Sequence, residues 1–136
     1  MKKVVLIICL ITFSGCDKYP FLPDAYSEIF LGNWKWYGTS CPFSGSYQPA
    51  DSAGYTIQLT FDQHGKYHYF KNDTLLFSTS YRFNFDYSHN GTDHYKLKLE
   101  NEDHYFNAFI TKFNTTDILV LGEANPDACE LYYGRL

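Results

Sequence analysis

The sequence predicts an all-β chain closed into an eight-stranded antiparallel up-and-down barrel, preceded by a short N-terminal helix. Three observations predict it. Eight strand-like runs are joined mostly by two- to five-residue turns, with no helical stretch long enough to cross over between parallel strands. In an even-numbered meander the first and last runs become neighbours, which sets Cys41, ending the first, beside Cys129, starting the last. At the other end of that pair Trp34 sits near Arg135, where an arginine over an indole gains about 0.5 to 2 kcal/mol.

Ahead of the barrel, residues 1–15 of the 136 read as an export signal. Lys2 and Lys3 form its charged start, and Val4 to Phe13 its apolar part, about ten residues and too short to span a bilayer. Phe13-Ser14-Gly15-Cys16 resembles the lipobox of bacterial lipoproteins, with phenylalanine where leucine is usual. The resemblance implies that Cys16 is diacylated and becomes the mature N-terminus, held in a bacterial cell envelope through its lipid. Asp17 resembles an inner-membrane retention signal in some bacteria, but that rule is not general, and the outer membrane is the expected location. Residues 16–22 then read as a lipidated tether and 23–136 as the barrel domain.

Losing Lys2 and Lys3 takes the formal charge two units below the −4 of the whole chain. That balance argues against nucleic acid and against charge-driven adsorption to anionic lipid. Export makes the compartment oxidising, so cysteines are read for disulfides. Cys9 leaves with the signal and Cys16 is taken by lipid, which leaves the one pair Cys41 and Cys129. Aromatic residues make up 20% of the chain, with 13 tyrosines and 12 phenylalanines. In so small a domain, large flat side chains gain much burial per residue.

In chain order, residues 23–31 suit a short helix, with Pro23 in its first turn, Asp24 and Glu28 toward its N-terminal end, and Gly32 stopping it. Residues 33–40 form the first run. Residues 41–52, rich in Pro, Gly and Ser, read as the longest loop. In 54–62, Tyr55, Ile57, Leu59 and Phe61 alternate with Thr56, Gln58 and Thr60, the clearest period-two pattern in the chain. Gln63-His64-Gly65 turns this into 66–71, and Asn72-Asp73 turns that into 75–85. Residues 86–93, containing Asn90-Gly91, read as a turn region. The runs 94–100, 103–112, 117–122 and 128–135 complete the set of eight. Closure in this order removes both exposed edges and leaves an interior that side chains fill or one small ligand occupies.

Gly32-Asn33-Trp34 with a late Arg135 resembles the lipocalin and wider calycin signature, in which an arginine from the last strand covers the tryptophan at the barrel base. The stretches 31–36, 53–67 and 69–75 are similar to small lipocalin-like lipoproteins of Gram-negative bacteria. The likeness runs through nearly all of 31–136. It implies the barrel, a helical turn before the first strand, and a small apolar ligand inside.

No catalytic set emerges. The serines lie in no nucleophile elbow, and no strand, Gly-rich loop and helix unit exists to cradle phosphate. His64, His68, His89, His94 and His104 show no metal-ligand spacing, so neither a metal nor a cofactor is expected. The expectation is a non-catalytic protein. Tyr55, Phe61, Tyr67, Tyr69, Phe77, Tyr81, Phe83, Tyr95, Phe106 and Phe109 line a pocket for an apolar ligand or fill the barrel solid. The alternative function is an interaction or inhibitor module acting through the 41–52 loop, where Phe43 and Tyr47 would meet a protein partner that the sequence does not identify.

Overall fold

The computed structural model describes residues 25–125 and 127–136. The signal, Cys16, the tether and the first residues of the expected helix lie outside the described residues. Among the described residues nine strands form one sheet: β1 (Gly32–Cys41), β2 (Ser46–Pro49), β3 (Ile57–Phe61), β4 (Lys66–Lys71), β5 (Thr74–His89), β6 (Thr92–Leu99), β7 (Tyr105–Phe113), β8 (Thr116–Glu123) and β9 (Glu130–Arg135). Every neighbouring pair is antiparallel, and pairing of β1 with β9 closes the sheet into a barrel. The nine strands fill eight positions, because β2 and β3 share one side of β1. β2 pairs with Gly38 to Cys41, and β3 with Gly32 to Lys35.

Alternation builds the interior. Trp34, Trp36, Leu59, Phe61, Tyr67, Tyr81, Phe83, Tyr95, Leu97, Leu99, Leu119, Leu121 and Tyr133 form the buried cluster. A six-residue 3-10 helix, Ala25–Phe30, precedes β1. Its last residue, Phe30, is fully buried, stacked on Phe83 at 3.8 Å and edge-on to Tyr95 at 5.0 Å. The Trp34 indole N–H donates to the Phe30 carbonyl at 2.8 Å. That half of the barrel is packed solid.

Turn chemistry sets the register. Asn72, Asp73, Asn90 and Asn114 all take positive φ, the region asparagine tolerates best among side-chain-bearing residues. Asn90-Gly91 has φ of 49° and 77°, a two-residue hairpin turn.

Two expectations change in detail. The 41–52 stretch is an arm and not a plain loop: β1 runs on to Cys41, β2 returns beside it, and a 3-10 turn, Ala50–Ser52, follows. Its Pro, Gly and Ser content hid four residues of strand that pair with the second half of β1. Residues 86–89 also stay in strand, which confines the turn to Asn90-Gly91. Asp86, Ser88 and His89 look like turn formers in sequence. Cross-strand partners hold them: Lys96 lies 3.4 Å from Asp86, and the Ser88 hydroxyl donates to Asp93.

Candidate functional site

The two marks at the β1–β9 seam come first. Cys41 and Cys129 form a disulfide with Cα atoms 4.1 Å apart. At the opposite end of the seam the Arg135 guanidinium lies 4.1 Å from the Trp34 ring centroid. Its nitrogens donate to the Leu31 carbonyl at 2.7 Å, the Ile29 carbonyl at 2.6 Å and Asp117 at 3.1 Å. Gly32 takes φ of 118°, so a side chain there is strained and would also meet the guanidinium. This end is a structural closure.

The other end is different, and β5 makes it so. Residues 74–80 of β5 pair with β4, while 81–89 pair with β6. Ser80's carbonyl still accepts from the Glu100 N–H at 3.0 Å, but β6 ends at Leu99 opposite Tyr81, so residues 74–79 of β5 have β4 as their one partner strand. The wall is therefore open there. Phe77 faces inward opposite Tyr69, stacks on it at 5.2 Å, and is still 37% exposed. Tyr67 meets the same Phe77 ring at 5.8 Å. Trp36 stacks on Tyr55 at 5.5 Å, and the Lys71 ammonium sits 4.5 Å from the centroid of the Tyr55 ring.

Of the expected lining residues, Phe61, Tyr81, Phe83 and Tyr95 belong to the filled half. Phe61 packs on Tyr81 and Phe83 at 5.0 and 5.2 Å. Tyr81 donates its hydroxyl to the Asp62 carbonyl at 2.9 Å, and burial first, then nearby Asp62, pushes its phenol up to about 12. Phe106 is half-buried against the core. Phe109 is a correction: Ala108 takes the inward position, so strand alternation turns Phe109 to the outer wall, where it meets His94 at 4.8 Å. The open half keeps Tyr55, Tyr67, Tyr69 and Phe77.

Tyr133 and Trp36 were missing from the expected lining. The signal was present in sequence, because Arg135 covers the inward Trp34 and alternation then turns Tyr133 inward too. Tyr133 pairs with Trp36 and is 3% exposed. Burial foremost, then Tyr69, holds its phenol well above the usual value. Tyr67 is raised the same way, by burial first and then by Tyr133, Tyr69 and Glu102. These phenols stay protonated hydrogen-bond donors throughout the physiological range.

A concavity lies on the outer wall. Tyr37, Ser40, Tyr47, Thr111, Lys112, Phe113, Ile118 and Tyr132 line a cavity of about 320 Å³. The arm ends at Phe43, which is 84% exposed. Among the described residues no three His, Cys, Asp or Glu side chains are grouped to hold a metal ion. His68 pairs with Asp62 at 3.2 Å, and His104 lies 3.8 Å from Glu102.

Fold and site together define a small closed antiparallel barrel with an aromatic interior, compatible with a lipocalin-like fold. Comparison with protein-family models, with curated proteins and with solved structures gives no match.

Proposed function

We propose that this chain is a lipocalin-like, lipid-anchored protein of the bacterial cell envelope that holds one small, largely apolar molecule in the open half of its barrel. The observation that carries the reading is the stacked Tyr69–Phe77 pair, which faces inward yet reaches solvent where β5 lacks a second partner strand. Large aromatic side chains left open in this way suit a ligand that covers them. The anchor rests on the lipobox resemblance at Cys16, with the outer membrane as the expected location. In this reading the protein works by binding, with the stacked rings of Tyr69 and Phe77 as its contact surface.

Native mass spectrometry of protein taken from its own envelope tests the binding. A co-purified small apolar molecule supports it. A clean apo mass with a captured protein partner rejects it. A Cys16→Ala protein that still fractionates with membranes would refute the anchor.

A second reading is favoured by the arm. Phe43 projects from a turn whose base the disulfide steadies, and Tyr47 reaches the outer-wall cavity. A protein-interaction or inhibitor module would use those two side chains. In that case Phe43→Ala and Tyr47→Ala would abolish partner capture while leaving the barrel's stability unchanged.

A further inference from the structure

Residues 74–79 of β5 have β4 along one side and no strand along the other. The peptide groups on the uncovered side follow from two hydrogen bonds. Tyr81 donates its N–H toward β4, to the Gly65 carbonyl at 3.0 Å, while the Ser80 carbonyl accepts from Glu100 on the opposite side at 3.0 Å. Direction alternates along a strand, so the Ser78 N–H and carbonyl point the same way as those of Ser80. Among the described residues they meet no partner. Water satisfies them in the free protein. The drive to cover this edge is therefore apolar area, and the peptide groups set direction and register.

The apolar area is there. Leu75 is 50% exposed, Leu76 55% and Phe77 37%. They occupy both faces of the strand: Phe77 lies inward opposite Tyr69, and Leu75 pairs with Phe70 on the outer face. Edges of sheets are usually kept from foreign strands by charged side chains, prolines and bulges. Residues 74–81 hold no charge and no proline, and the bulge, at Leu76, leaves Phe77 to Ser80 in regular pairing. The hairpin is also held in place. At its tip the Asn72 N–H donates to the Thr56 carbonyl, and the Thr56 N–H donates to the Asn72 side chain, both at 2.9 Å.

We infer that this edge of β5 takes up a short, uncharged peptide in extended form as an added strand, with one apolar side chain laid on Phe77 and Tyr69. This rests on the ligand reading above and names the class of ligand. A strand is the shape that pairs with Ser78 and covers both faces at once. Its length is about six residues, because the gap runs from the Asn72-Asp73 turn to Glu100. An ionised side chain laid along residues 74–81 would lose water and gain no counter-ion from that segment. The flanking lysines are engaged: Lys66 with the Ser80 hydroxyl, Lys71 on the Tyr55 ring and Lys98 with the Glu102 carbonyl.

Amide hydrogen exchange and affinity measurements on the purified protein test this with three probes. They are the capped peptide acetyl-Ser-Thr-Leu-Phe-Val-Thr-Ser-amide, its analogue with the Leu, Phe and Val amides replaced by esters, and 2-acetylnaphthalene, a small flat apolar molecule. The saturating peptide is expected to slow exchange of the Ser78 N–H by about tenfold or more. The ester analogue keeps every side chain and loses N–H donors, so it should bind roughly fivefold or more weakly. Ser78→Pro removes the protein's own donor where strand pairing does not use it, so the barrel should keep its near-ultraviolet dichroism. That variant should bind the peptide roughly fivefold or more weakly and 2-acetylnaphthalene as before. If it fails to fold, exchange at Ser78 in the unaltered protein still decides. No peptide binding, unchanged Ser78 exchange under saturating peptide, or equal affinity for peptide and ester would overturn the inference. The ligand reading survives such a result if 2-acetylnaphthalene binds, and falls with it if no probe does.

Discussion

Arg135 lies over Trp34 at 4.1 Å and at the same time donates to the backbone of residues 29 and 31, more than a hundred positions earlier in the chain. One side chain thus joins the last strand, the first strand and the segment that plugs the base with Phe30. Arg135→Ala removes the cation–π contact, two charge-assisted bonds to carbonyls and the pairing with Asp117. It should cost about 2 to 4 kcal/mol in urea denaturation. Arg135→Lys should recover less than half, because an ammonium cannot span all three acceptors.

The Cys41–Cys129 disulfide closes a separation of 88 residues. Loop-closure entropy of that size corresponds to roughly 3 to 5 kcal/mol. Reduction, or Cys41→Ser with Cys129→Ser, should lower the urea midpoint accordingly while the barrel's far-ultraviolet dichroism survives. Intact mass should rise by two hydrogen atoms on reduction.

Phe83 and Phe109 look alike in sequence and sit on opposite faces of the wall. Phe83→Ala opens a cavity beneath Phe30 and Phe61 and should cost about 3 to 5 kcal/mol. Phe109→Ala loses contact with His94 on the outer wall and should cost about 1 kcal/mol or less. Equal costs would place Phe109 inside.

The pH profile has a limit at each side. Burial pushes the Asp62 carboxyl up, but the Lys66 and His64 backbone N–H groups and His68 outweigh it and hold the carboxyl below its model-compound value of 3.8. A depressed acid stabilises the fold fully above its unfolded value and ceases to do so as the pH falls through the folded one. Asp62→Asn should flatten the acid limb of urea midpoint against pH. Tyr81 and Tyr132, both raised to about 12 from 10, with Tyr67 and Tyr133 raised too, act oppositely. The folded state keeps protons the unfolded state releases, so stability is full below pH 10 and falls as the pH climbs toward 12. Absorbance at 295 nm should show a group of tyrosines that ionises only together with unfolding.

Much of the fold was legible because closure leaves marks in sequence. Period-two alternation through Tyr55 to Phe61, asparagine turns at 72, 90 and 114, and the paired ends Trp34 with Arg135 and Cys41 with Cys129 all act locally or across one seam. What alternation alone could not supply was the phase of a run with aromatics on both faces. In β7, Phe106 and Phe109 are three apart, so they cannot share a face, and the phase is set by Ala108, which pairs with the core residue Leu121 and puts Phe106 on the inner face and Phe109 on the outer. Nor could composition show that β5 outruns β6, because the stagger depends on where the turns at 72–73 and 100–104 fall in space. The opening that carries the functional reading follows from that stagger.

The central claim is that the open half of the barrel, and not the outer wall, is the binding surface. Aromatic NMR of the labelled protein titrated with 2-acetylnaphthalene tests it most directly. Ring signals of Tyr67, Tyr69, Phe77 and Tyr133 should shift together with one saturation curve, while those of Tyr37, Tyr47, Phe113 and Tyr132 stay in place. Shifts confined to the latter four, with the interior rings unmoved, would contradict the account.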